Sequence, residues 1–306
     1  MRVLLVAAVL ALLVALAAAL GTLGDGAEEA QAAPWELAQP MSQRRSYIAA
    51  AEIGGQIYAA GGMVGETGRP LATFQRLDTR EGAWETLSQL PVATRAAAAA
   101  SVDGVVYVIG GTTGEGNTRA VWAWDGEGWE PRAPLPAARF NHEAVAVEGR
   151  VYVLGGFGDG EEHDEVFAYD PGADRWELAS HLPQPNHAFG AVAFRGEIWV
   201  LGGRRGERIL DEVRSFDPET QRWRSRAPLP EPMELLGAAV SGDEIHAVWE
   251  SLYQWYDASE GTWHRGATPP VTRHALQAFV AEGVLYTVGG CTTALRDSPV
   301  VETLEL

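Results

Sequence analysis

The line from Glu165 to Trp176, EVFAYDPGADRW, returns 47 residues later from Glu212 to Trp223 as EVRSFDPETQRW. Each copy follows an apolar run closed by a glycine pair, Tyr152-Val153-Leu154-Gly155-Gly156 in one case and Trp199-Val200-Leu201-Gly202-Gly203 in the other. One unit of strand, glycine pair, variable loop, strand, Asp-Pro turn and Trp cannot bury its own apolar face. A chain that repeats it is built by stacking copies of one small antiparallel sheet.

Glycine pairs recur at Gly61-Gly62, Gly110-Gly111, Gly155-Gly156, Gly202-Gly203 and Gly289-Gly290, and Gly242 and His246 place a degenerate copy at Val248-Trp249. Six units follow. Trp35, Trp84, Trp129, Trp176, Trp223 and Trp263 precede the pairs by 26 residues, or by 25 before the degenerate one. Length variation is confined to the loop after the glycines, as expected of a surface connection. Apolar alternation cuts each unit into four short strands, for example Glu143 to Glu148, Val151 to Leu154, Val166 to Tyr169 and Arg175 to Leu178. This is the pattern of a propeller blade. Asp78, Asp125, Asp170, Asp217 and Asp257 end the third strands, where a carboxylate can cap the turn that follows.

The last unit has a third strand at Val300 to Leu304 but no fourth, whereas Trp35-Glu36-Leu37 is a Trp strand with no blade before it. Pairing the two closes the ring, covers an open sheet edge and is expected to bury Trp35. The glycine pairs, the Tyr-Asp-Pro turn and the spaced Trp resemble kelch repeats over residues 35 to 306. That resemblance implies an all-β, six-bladed kelch-type β-propeller over 33–306. Blade five, without its glycine pair, and blade two, with Trp122-Ala123-Trp124-Asp125 and a shortened turn, depart from it.

After Met1-Arg2 the chain runs from Val3 to Leu20 without charge, then through an acidic, Ala-rich stretch to Pro34. Residues 1–32 read as a cleaved export signal or an uncleaved membrane anchor, and either places the ring outside the cytoplasm. Cys291 is the single Cys, so no intrachain disulfide forms, and it reads as a small packed residue or a reactive thiol. All 23 basic residues are Arg. Without residues 1–32, which hold Arg2, Asp25, Glu28 and Glu29, the ring keeps 22 basic and 38 acidic residues, a net charge of −16. Nucleic acid and anionic membrane surfaces are poor partners for a ring of this charge, and no nucleic-acid partner is expected.

Sixteen residues before each glycine pair, in the connection that rings a propeller's channel mouth, stand Arg45, Thr94, Arg139, Asn186, Pro232 and Arg273, with Arg95, His187 and His274 one position on. Arg45, Arg95, Arg139 and Arg273 converging on the axis would suit a carboxylate, since a guanidinium is a fixed fork of donors. Asn186, His187 and His274 complete the candidate ligand set. The alternative is that these arginines bond loop carbonyls and tie blades together. His142 falls in a slot filled elsewhere by Ile48, Ala97, Phe189, Leu235 and Leu276. It reads as a hydrogen-bonded core histidine or a channel-facing acid–base group. The acidic run from Asp159 to Glu165 lacks the ordered spacing of a calcium loop, and neither a metal nor a cofactor is expected.

No hydrolase elbow, zinc motif or phosphate loop is present in the sequence. The leading expectation is an exported binding module that takes a protein or a carbohydrate, carboxylate-bearing if the arginines are used. The second is an enzyme on the same scaffold. Here the resemblance extends to the exported six-bladed kelch proteins that interconvert sialic acid anomers, and it implies a cofactor-independent mutarotase acting on an acidic sugar. The four arginines would then clamp a carboxylate and His142 or Glu234 would move the proton.

Overall fold

A computed structural model describes residues 34–65, 67–292 and 296–306 of the chain, and the expected export segment at 1–32 lies outside them. Six four-stranded antiparallel sheets follow one another in the order the repeats predict. In blade three the strands are Glu143–Val147, Arg150–Leu154, Glu165–Asp170 and Arg175–His181, paired in sequence order from the channel outward. Blade six is completed from the other end of the chain. Glu36 and Leu37 pair antiparallel with Thr303 and Glu302 of the strand Val301–Glu305, which is the expected closure.

The core lies between blades rather than within them. Each of the six apolar clusters joins two neighbours. On the innermost strand of blade three, Ala144 packs toward blade two while Val145 and Val147 pack toward blade four. A strand sends successive side chains to opposite faces, so a strand apolar on both faces serves two cores at once.

Two local signals act as expected. Asp78, Asp125, Asp170, Asp217 and Asp257 each accept hydrogen bonds from backbone amides two or three residues ahead, capping the turn into the Trp strand. The glycine pairs are demanded by close approach: at Gly61 an added Cβ would lie 2.4 Å from the Thr94 carbonyl, and both Gly61 and Gly62 hold positive φ, 61° and 94°.

The expected burial of Trp35 is only partial, and the same holds for every repeated Trp. All six, Trp35 included, are half-buried rather than core residues, and each indole N–H reaches back to the preceding blade. Trp35, Trp84, Trp129, Trp176 and Trp263 donate to the carbonyls of Ala267, Gln39, Ser88, Ala133 and Ala227, and Trp223 donates to Ser180 Oγ. The indole needs an acceptor for its single donor, and the neighbouring blade supplies it.

The degenerate glycine slot also moves by one residue. In the other blades the second glycine donates its N–H to the slot residue of the following blade, as Gly203 does to Met233. Glu250 makes this bond to Arg273. The slot in blade five is therefore Trp249-Glu250 rather than Val248-Trp249, and its arginine-slot equivalent is Met233 rather than Pro232. The counterpart of His142 becomes Leu236 rather than Leu235. With this shift the Trp-to-slot spacing is 26 in every blade.

Candidate functional site at the channel mouth

The connection that leads into each innermost strand places four successive residues in four different environments. At the slot itself, the side chains of Thr94, Arg139 and Asn186 donate to the carbonyls of Gly110, Gly155 and Gly202 at 3.3, 2.9 and 2.9 Å, and Arg45 does so to Gly61 at 2.8 Å. Arg273 donates in the same way to Gly289. The acceptor is the first glycine of the same blade. Met233 has no donor to offer, and blade five is also where the glycine pair is lost.

This corrects the expected carboxylate clamp. Arg45, Arg139 and Arg273 are wholly buried; their other terminal donors go to groups of the second and third strands of the same blade, and each Nε–H has no partner among the described residues. Arg45 reaches Gln75 Oε1 at 3.0 Å, Arg139 reaches Glu165 at 3.3 Å, and Arg273 bonds Glu302 and Thr287. Desolvation holds all three guanidiniums below their usual range, Arg45 at about 10. They are structural staples. Asn186 is likewise buried, its Nδ2 spent on Gly202.

One position on, the side chains surround the mouth: Ser46, Arg95, Phe140, His187, Glu234 and His274. Residues just after the glycine pairs meet them through isolated bridges, Arg95 with Thr112, Phe140 with Phe157, His187 with Arg204 and His274 with Cys291. The collar has distinct sides. Arg95 is half-buried over the loop of blade one, 3.7 Å from Met63 Sδ, and pairs with no carboxylate among the described residues. Phe140, Phe157 and His187 form an aromatic side, with centroids 5.7 Å apart along the row. Arg204 and Glu234 form a two-pronged ion pair. His274 Nε2 lies 3.1 Å from Cys291 Sγ and its Nδ1 lies 3.9 Å from Glu250. Cys291 is buried, and desolvation pushes its thiol up to about 11, which is the packed residue rather than the reactive thiol. Burial lowers the His187 pKa, so the imidazole is neutral at pH 7. Of the expected ligand and acid–base residues, Arg95, His187, His274 and Glu234 are brought together here.

At the next position lies a ring that the sequence did not announce. Tyr47, Ala96, Asn141, Ala188, Leu235 and Ala275 all have φ between 47° and 57°. Each donates its N–H to the carbonyl of the previous member at 2.6 to 3.2 Å, and Tyr47 closes the circuit on Ala275. Left-handed backbone costs roughly 1–2 kcal/mol per non-glycine residue, which a full set of backbone bonds offsets. The Tyr47 hydroxyl stands among the collar. Burial, with Cys291 and Glu234 adding to it, pushes its pKa up to about 12 against the pull of Arg95 and Arg204. Tyr47 and Arg204 were missed from sequence, although Tyr47 is the one large polar residue in a slot of mostly small or apolar ones.

Below the ring an axial cavity of about 40 Å³ is lined by all six of its members and by His142, Glu143 and Gln277. His142 is buried in the wall, where an added Cβ on Gly110 of blade two would lie 2.9 Å from its ring. Neither ring nitrogen makes a hydrogen bond of full geometry among the described residues, although the Ile109 backbone acts on the ring, so His142 is a core histidine held mainly by packing. Desolvation and the Arg139 charge lower its pKa to about 3. Glu143 occupies a position held by Ala49, Ala98, Gly190, Gly237 and Gln277 in the other blades. It is enclosed by protein apart from this cavity, and desolvation raises its carboxyl to about 8. The acidic run near Asp159 is spent locally, Glu162 on the Gly206 amide and Asp164 on His181.

Residues 47–248 match a family model described as the KLHDC2/KLHL20/DRC7 Kelch-repeats domain. The chain belongs to the Kelch-repeat family. A solved structure described as "Structure of YjhT" superposes with a TM-score of 0.76 over 85% of this chain and 95% of its own, at 16% identity. At that identity the kelch chain shares the fold. No curated protein matches it.

Proposed function

We propose that this kelch propeller acts outside the cytoplasm as a binding module, and that its channel mouth takes a carboxylate-bearing saccharide. The observation that carries the reading is the make-up of the collar. Arg95 is a cation without a carboxylate partner among the described residues, and it shares the mouth with the Tyr47 hydroxyl and the Phe140–Phe157 aromatic side. A sugar acid presents a carboxylate for the first, hydroxyls for the second and an apolar ring face for the third. The apolar run at Val3 to Leu20 supports export.

Calorimetric titration with N-acetylneuraminate, galacturonate and galactose tests this. The two acids should bind and galactose should not, and Arg95→Gln should weaken the acids by about 10- to 100-fold, the worth of one charge-assisted bond. Equal binding of galactose and galacturonate, or an Arg95→Gln variant that binds as well as the parent, would sink the reading.

A catalytic use of the same mouth is the second reading, and His187 favours it. A neutral imidazole in the collar, beside Glu162, can take and return the proton that anomer exchange moves. His142, buried in the wall, no longer serves. Exchange of N-acetylneuraminate anomers, followed by NMR, should be accelerated by the protein and lost in His187→Ala if this reading holds.

A further inference from the structure

The wall of the mouth is uneven. In blades one to four the glycine pair opens into a two-stranded ribbon that begins at the collar: Met63–Val64 with Arg69–Pro70, Thr112–Thr113 with Gly116–Asn117, Phe157–Gly158 with Glu161–Glu162, and Arg204–Arg205 with Arg208–Ile209. In blade six the chain runs from Cys291 to Val300 before its third strand begins. Blade five has nothing comparable. Only Glu250 and Ser251 separate its second strand, Glu244–Trp249, from its third, Leu252–Asp257, and the ladder is paired right up to Trp249 and Leu252. The rim is cut down to a hairpin turn at this one blade.

The gap is furnished. Trp249 stands where every other blade has its first glycine, and it is the only large side chain at that position. It packs on the cluster that holds Met233 and Leu236 and is partly exposed, while its indole N–H is buried and meets no acceptor among the described residues. Glu234, paired with Arg204, follows Met233 of that cluster in the chain, and Glu250, beside His274, follows Trp249 itself. An aromatic face flanked by carboxylates and a guanidinium is what a pyranose needs, with its C–H face on the ring and its hydroxyls on the charged groups. A peptide would look for an unpaired backbone edge or an apolar pocket, and the turn offers neither.

We infer that the notch over blade five is a second saccharide subsite, so that the ligand is an acidic oligosaccharide with one residue in the mouth and the next on Trp249. This rests on the reading of the mouth as a sugar-acid site and extends it. Linking two weak subsites raises affinity without new contacts at either one.

The test is titration of galacturonate against di- and trigalacturonate. The parent should bind the trimer at least tenfold more tightly than the monomer. Trp249→Ala should bring the trimer down to the monomer's affinity while leaving the monomer unchanged. Because Trp249 also packs on the core, a second variant blocks the notch without touching it: replacing Glu250-Ser251 by the Thr112–Asn117 ribbon should erase the trimer's advantage equally. If monomer and trimer bind alike in the parent, or the trimer keeps its advantage with the ribbon in place, the subsite is wrong while the mouth stands. If none of the three binds, both are wrong.

Discussion

Arg139 and Arg95 stand in equivalent connections of adjacent blades, one position apart in the repeat, and do opposite work. Arg139 is sealed in the wall, its two terminal nitrogens bonded to the Gly155 carbonyl and Glu165. Arg95 leans over the mouth with only a sulfur for a partner among the described residues. In an extended connection consecutive side chains point to opposite sides, so a shift of one residue moves a guanidinium from inside to outside. Arginines that recur in a repeat are therefore poor pointers to a ligand. Recurrence marks what every blade needs, and function is sought in positions that differ from blade to blade.

The comparison is broken most severely at Arg273. Arg273→Ala leaves Glu302 buried without its partner and strips donors from the Gly289 and Val300 carbonyls, and should cost about 3–5 kcal/mol in urea unfolding. A change within about 0.5 kcal/mol, the range of an ordinary surface substitution, would move this arginine out of the wall. Trp176→Ala removes a half-buried ring and its bond to Ala133 and should cost roughly 2–3 kcal/mol, below a full core truncation. The variant should still bind sugar acids, since the collar is untouched.

The wall has a pH signature of its own. Glu143 has a folded pKa of about 8 against 4.5 for the free group. Its neutral form is favoured on folding, so its full contribution is present below pH 4.5 and is lost as pH rises toward 8. Glu143→Gln should flatten that decline and gain about 1–2 kcal/mol at pH 8, an amount reduced for the water that reaches the cavity. His142, with its folded pKa depressed from 6.5 to about 3, works the other way and costs stability as pH falls below 6.5. Denaturant midpoints measured from pH 4 to pH 9 in Glu143→Gln and in His142→Leu separate the slopes. The smallest effect is at Arg95, where Gln should change stability by less than about 0.5 kcal/mol while weakening the acids by about 10- to 100-fold.

The fold was legible because the blade's requirements are local. Glycines that admit a neighbouring carbonyl, Asp caps and a Trp at fixed spacing announce themselves in one dimension, and the orphan strand at Trp35 announced the closure. The site was half legible. Arg95, His187, His274 and Glu234 came from the right connection, but the depth of Arg45, Arg139 and Arg273 was not visible. It depends on which carbonyl lies opposite, and that carbonyl belongs to a glycine 16 residues away. The register error at Val248 has the same root. A slot without glycine has no one-dimensional mark, and only the Glu250–Arg273 bond locates it. Arg204 was hidden because it lies in the variable loop rather than in the repeat.

The strand that completes blade six also sets an order of events. Glu36 and Leu37 are among the first residues of the ring to be made, and their partners Thr303 and Glu302 are among the last. Contacts of such sequence separation form late, because the loop between them must be closed before they can be gained. Until then the outer edge of Val301–Glu305 and the indole of Trp35 are both unpaired, and either can find the same element of a second chain. A newly made ring is thus most prone to exchange strands with its neighbours in the interval before its two ends meet, and slow release of chains at low concentration should favour the closed monomer.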